Sequence, residues 1–179
     1  MKNKKIFIII LISVALVAII GGYLFVSSNK KSYNSFPDIF KTMDVSADNA
    51  KFNIETLKKF AKKNEYTFQE TKDNNVSKIS VVSKDYIQNL IYSPEENELS
   101  FIKMNSNDLT MPEEKKIKNI AEEDSFDKVM NELGEPDTME KNGNGLIILR
   151  WRDKTEKGYV SFSIELEDNK VTKITKVEI

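Results

Sequence analysis

Residues Ile6 to Val26, IFIIILISVALVAIIGGYLFV, form one apolar run of 21 residues with Ser13 as its only strongly polar member. As a helix rising ~1.5 Å per residue it would extend about 31 Å, close to the hydrocarbon thickness of a bilayer. A run of that length fixes the plan of the rest: one membrane anchor, with everything that folds lying on one side of it. Lys2, Lys4 and Lys5 precede the run, and Ser27-Ser28-Asn29-Lys30-Lys31 follows it. The excess of lysine before the run favours an amino terminus in the cytoplasm and a carboxyl-terminal domain outside the membrane. A cleaved signal peptide is the competing reading. Its apolar region would be shorter, about 7–15 residues, and would end in a small-x-small site, for which Val26-Ser27-Ser28 is the best match.

The remainder suits one ordinary domain or two very small ones. Charged residues make up 31% of the chain and are mixed in sign, as in a soluble globular domain. Beyond the run stand 24 basic and 28 acidic residues. A mildly acidic domain lacks the clustered positive charge that nucleic acid demands, so nucleic acid is not an expected partner. The chain has neither Cys nor His. Disulfides, thiolate nucleophiles, a lipid-bearing cysteine and the Ser-His-Asp triad are thereby excluded, along with the usual zinc, copper and haem sites. No cofactor and no metal are expected. An exported domain without disulfides, rich in Lys, Asn and Ile, reads as bacterial.

The expected order is a cytoplasmic head at 1–5, the anchor at 6–26, a linker at 27–52, a first helix-and-sheet unit at 53–104, a connecting segment at 105–123 and a second unit at 124–179. In the linker, Pro37 opens a short helix carrying Ile39, Phe40 and Met43. Asn53 is read as the cap of a helix running to Lys63, with Ile54, Leu57, Phe60 and Ala61 on its apolar stripe and Asn64 closing it in the left-handed conformation. Strand-like pieces follow at Tyr66–Glu70, Val76–Val82, Tyr86–Tyr92 and Glu98–Met104, separated by turn chemistry. In the connecting segment Thr110 is read as a cap, with Pro112 at the first helical position.

In the second unit Asp124 or Ser125 caps a helix whose Phe126, Val129, Met130 and Leu133 share one face, and Gly134 and Pro136 stop it. After a hairpin-type turn at Asn142-Gly143-Asn144-Gly145 come LIILRWR, YVSFSIELE and KVTKITKVEI. Val160, Phe162, Ile164 and Leu166 alternate, so one face of that strand is buried. The last strand changes phase among Val171, Ile174, Val177 and Ile179, which predicts a bulge. The fold class is therefore α+β, with helices on one face of antiparallel sheet. Asn53 and Ser125, Tyr86 and Tyr159, and Asn97 and Asn169 stand at spacings of 72, 73 and 72. Two tandem helix-plus-meander units produced by duplication would give this spacing. So would two unrelated copies of a common arrangement.

The stretch SFDKVMNELGEPDT…LIILRWRD…YVSFSIELEDNKVTKI resembles the small domain of the outer-membrane-assembly lipoproteins of the SmpA/OmlA type and of the β-lactamase inhibitor protein. Ser125, Val129, Leu133, Gly134 and Pro136 match its capped helix, and Trp151, Phe162, Asp168, Lys170 and Val171 match its strands. The lipid-bearing cysteine of the lipoproteins is missing, and the apolar run stands in its place. The resemblance implies a non-catalytic, protein-binding domain. It names no partner.

The only arginines, Arg150 and Arg152, flank the only tryptophan, Trp151. On a strand both guanidinium groups point one way and the indole the other. If the arginines face the open side of the sheet, Arg150, Trp151 and Arg152 with Ser161 and Ser163 form a candidate partner-binding site. Otherwise Trp151 is core, and the arginines pair with Glu165 or other acids of the sheet. The acidic groups Glu95, Glu96 and Glu98, and Glu122, Glu123 and Asp124, lack calcium-loop spacing. The leading functional reading is a membrane-anchored, extracytoplasmic module that binds an envelope or secreted protein or assists envelope assembly, without catalysis. The alternative is a cell-wall polymer hydrolase using paired carboxylates.

Overall fold

The structure is a computed structural model that describes residues 34–73, 76–104, 111–155 and 158–178. The head expected in the cytoplasm (residues 1–5), the Ile6–Val26 run and Thr110 lie outside the described residues, as do two of the residues in the turn at Asp73-Asn74-Asn75. Among the described residues no helix is long and apolar enough to cross a membrane.

The described chain enters through α1 (Phe36–Thr42). Ser35 caps it reciprocally: its Oγ accepts from the Asp38 N–H, and its own N–H donates to Asp38 Oδ2 at 3.2 Å. Phe36, Ile39, Phe40, Met43 and Val45 are all core residues. Much of the segment expected to be linker is therefore structural. After a 3₁₀ turn (Ala47–Asn49) comes α2 (Ala50–Asn64). It begins one turn before the expected cap, which leaves Asn53 inside the helix and buried. Asn53 Nδ2 instead donates to the Asp44 carbonyl at 2.6 Å and to Tyr92 Oη at 3.2 Å. The left-handed residue that closes α2 is Glu65, with φ 57°, one place beyond the expected Asn64.

Strands β1 (Thr67–Asp73), β2 (Val76–Val82), β3 (Gln88–Ser93) and β4 (Glu98–Lys103) follow. Tyr86 sits in the β2–β3 turn at φ 59°, not in a strand. Helix α3 (Glu114–Ile117) has Glu113 at its cap, so Pro112 precedes it. Helix α4 (Phe126–Leu133) has the expected ends: Ser125 Oγ accepts from the Lys128 N–H, and Gly134 takes φ 77°. Strands β5 (Thr138–Asn142), β6 (Ile147–Thr155), β7 (Gly158–Glu167) and β8 (Lys170–Glu178) complete the chain. The β7–β8 turn is Asp168-Asn169, at φ 50° and 62°. Glu165 pairs with Lys173 but Leu166 with Val171, so Thr172 is the extra residue of a bulge in β8.

All eight strands make one antiparallel sheet in chain order, β1 to β8. The fold is α+β. The two expected units are not separate sheets: β4 and β5 pair directly, with Phe101 opposite Met139. One row of paired residues runs Phe68, Val81, Leu90, Phe101, Met139, Leu149, Ile164, Ile174 across every strand. A parallel row includes Ile79, Tyr92, Leu99, Ile147, Leu166 and Val171. These rows, Ile174 at the edge excepted, join the apolar residues of α1, α2 and α4 in one core. Strand β5 lies outside the strands that the sequence pattern marks. Its five residues offer a single core side chain, Met139, and the partners that define it come from β4 and β6.

Candidate functional site

Because side chains alternate along a strand, the rows between the core rows face away from the helices. One such row is Thr67, Val82, Asn89, Ile102, Thr138, Arg150, Ser163, Thr175. The next is Gln69, Ser80, Ile91, Ser100, Glu140, Ile148, Glu165, Lys173. This open face carries β-branched residues interleaved with small hydroxyls. Over β2, β3 and β4 these two rows hold no charged side chain, in a chain that is 31% charged.

Four of the five expected site residues lie here. Arg150 pairs in register with Ser163, and Arg152 with Ser161, all four half-buried. Trp151 is not with them. It is 1% exposed and packs on Phe162 with ring centroids 5.6 Å apart, so it has no surface to offer a partner. Of the other strand aromatics whose side chains are described, Phe68, Tyr92, Phe101 and Phe162 also belong to the core or pack against it. Among the described side chains, the face expected to combine arginine with Trp151 therefore combines arginine with isoleucine.

The arginines differ. Arg150 Nη1 meets Glu140 Oε1 at 2.5 Å, a partner on the neighbouring strand and not the expected Glu165, which pairs with Lys173 at 2.9 Å. Arg152 donates its backbone N–H to Asp137 Oδ2 at 2.6 Å, and its Nε is enclosed without an acceptor. Asp137 is itself buried, and its N–H and carbonyl bridge the Arg150 carbonyl and the Lys103 N–H, both at 2.8 Å. Burial pushes the Asp137 carboxyl up, against the opposing effects of the Arg152 N–H and the charges of Lys103 and Arg152.

A groove of about 330 Å³ crosses β4 to β6 on the open face and is lined by Glu98, Ser100, Glu140, Asn142, Leu146 and Ile148. It brings two carboxylates to one surface, but Glu140 is committed to Arg150. Among the described residues no three acidic side chains are grouped to hold a metal ion.

Ser80, Val82, Ile91, Ser100, Ile102 and Ile148 escaped the sequence reading, though a signal was present. Val81-Val82, Leu90-Ile91, Phe101-Ile102 and Ile147-Ile148 are apolar doublets inside strands. At a period of two, one member of each doublet must face away from the core.

No protein-family model matches the chain, and no curated protein matches it. Among solved structures the chain is similar to a proposed β-lactamase inhibitor protein from Streptococcus mutans, at 18% identity and a TM-score of 0.44. The match covers 78% of this chain and 93% of that one. At this distance the likeness carries neither fold nor function across.

Proposed function

We propose that this chain is a membrane-anchored, extracytoplasmic module that binds a protein of the cell envelope or a secreted protein through the open face of its sheet, without catalysis. The observation that carries the reading is that β2, β3, β4 and β6 each place a branched apolar residue, Val82, Ile91, Ile102 and Ile148, on the side of the sheet away from the core. An apolar surface depleted of charge at its centre and rimmed by polar groups is the composition of an interface core. The resemblance of residues 125–171 to the SmpA/OmlA and β-lactamase-inhibitor domain supports the same habit. The spacing of 72 between Asn97 and Asn169, each left-handed and each directly before the last strand of its half, supports a duplicated helix-plus-meander unit. The Ile6–Val26 run supports the anchor, and the lysines before it support an external domain.

Photo-crosslinking in intact cells tests the binding reading. A photoreactive residue at Ile91 or Ser100 captures a discrete protein, and one at Lys59 on α2 does not; equal capture from both sides of the sheet would overturn it. The natural absence of cysteine makes topology testable without background. A single cysteine at Tyr86, 69% exposed, should react with a membrane-impermeant thiol reagent in intact cells.

A further inference from the structure

We infer that the end of the open face built by Arg152, Ser161, Ile102 and Met104 receives an acidic side chain of the partner, flanked by an apolar one. This rests on the reading of the open face as the binding surface and specifies what that surface recognises.

The two arginines enter the face in the same way but in different electrostatic states. Arg150 is neutralised by Glu140. The Arg152 guanidinium has no ion pair with any described residue: the Asp137 carboxylate is taken up by the Arg152 backbone N–H, not its side chain. Its Nε is enclosed with no acceptor. That Nε is closed to a partner, so the donors left to meet a carboxylate are those at the Nη end of the side chain. The guanidinium fork matches a carboxylate in two hydrogen bonds. Ser161 stands directly opposite Arg152 in the β6–β7 register, so its hydroxyl lies beside the same position.

The surroundings are apolar. Ile102 is 38% exposed and Met104 63%, two residues apart on β4 and beyond its end, and so on the same side of the chain. Ile102 pairs with Thr138, which pairs with Arg150, so the apolar pair stands two strands, roughly 10 Å, from the arginines. Tyr86, 69% exposed, is brought alongside by the hydrogen bond from the Met104 N–H to the Ile87 carbonyl at 2.6 Å. Ile102 and Met104 thus lie on the same face as an arginine that has no ion pair with any described residue. Covering them removes water from the guanidinium and strengthens its attraction to a carboxylate. Among the described side chains at this end of the face Arg152 is the one cation without an ion pair, and one cation does not suit a polyphosphate backbone or an anionic bilayer, which need several. It suits one carboxylate on a polypeptide.

The test selects short random peptides displayed on phage against the full-length protein. The expected peptides carry Asp or Glu next to a large apolar residue and weaken about tenfold or more on Arg152→Gln and on Ile102→Asp. Replacing the peptide's own acid by its amide should cost as much, with no further loss when combined with Arg152→Gln. Peptides that weaken on Ile91→Asp or Ile102→Asp but bind Arg152→Gln as tightly as the parent overturn this inference and leave the open face as a binding surface. Peptides indifferent to all three substitutions overturn both. Thermal melting of each variant separates lost binding from lost folding.

Discussion

The two faces of the sheet are built by the same strands and obey different rules. Toward the helices, the rows from Val81 to Ile164 and from Ile79 to Val171 are closed, with Ile79, Val81, Leu90, Tyr92, Leu99 and Phe101 all at 0% exposure. Away from them, Val82, Ile91 and Ile148 are half-buried and Ile102 is exposed, with serines and threonines as neighbours. Burial accounts for the first face through the hydrophobic effect and close packing. Nothing within the fold requires the second to be apolar. That difference is what supports the proposal that a partner binds the open face. It also predicts that substitutions on the two faces fail differently: core changes cost stability, and open-face changes cost binding.

The comparison is sharpest at β6, where one strand carries Trp151 inward and Arg150 and Arg152 outward. Replacing Trp151 by alanine should lower the unfolding free energy by about 3–5 kcal/mol, because the cavity beside Phe162 cannot collapse under so large a side chain. Urea denaturation measures this directly. A loss below about 1 kcal/mol would show that Trp151 is not core, and the division between the faces would fail at its best-defined strand.

How much of this was legible follows the range of the forces concerned. Helix α4 was readable to the residue because Ser125 and Gly134 act locally, through caps formed within a few residues. The bulge in β8 was readable because a phase change in alternation is visible along one strand. Asn53 was misread because its side chain is satisfied by Tyr92, 39 residues away, and by the Asp44 carbonyl. A cap and a buried tertiary partner draw on the same residue types, and only the fold decides between them. The single sheet escaped for a related reason. Its β4–β5 seam pairs Phe101 with Met139 across the whole connecting segment. Arg150, Arg152, Ser161 and Ser163 share the open face, and the surface proposed for binding extends beyond them, since β6 advertises itself with Arg and Trp while β2, β3 and β4 contribute plain isoleucine, valine and serine.

Smaller effects probe polar groups caught inside the closed face. Tyr92→Phe removes only the hydroxyl that accepts from Asn53, whose amide keeps its bond to the Asp44 carbonyl. The expected loss is about 1 kcal/mol, read as a shift in urea midpoint at constant slope. Asp137 gives a dependence on pH. Its carboxyl is raised by burial, so the folded protein holds the proton more tightly than the unfolded chain does. Its contribution is most favourable in acid, below the ordinary carboxyl range, and declines as pH rises through that range to the raised folded value. Asp44 and Asp124 run the other way, held low chiefly by a backbone hydrogen bond from Ser46 and a side-chain hydrogen bond from Lys128. Comparing the parent with Asp137→Asn cancels them. The parent should lose stability relative to Asp137→Asn as pH climbs from the acid range toward neutrality. A difference that is flat or of opposite slope would mean that Asp137 is not the desolvated group described.

The smallest expected effect on stability is the most informative about function. Ile91 lies on the open face, opposite Ser80 on β2 and Ser100 on β4. Threonine keeps the β-branch that suits a pleated strand and places a hydroxyl among hydroxyls. Ile91→Thr should therefore leave the unfolding free energy within about 0.5 kcal/mol, as surface substitutions do. Capture from a photoreactive residue at Ser100 should nevertheless fall, because the apolar contact at the centre of the face is gone. A stability loss above about 1.5 kcal/mol would mean that Ile91 is held by the fold as firmly as Leu90 beside it. The open face would then be a second structural surface, and its apolar residues would no longer require a partner to explain them.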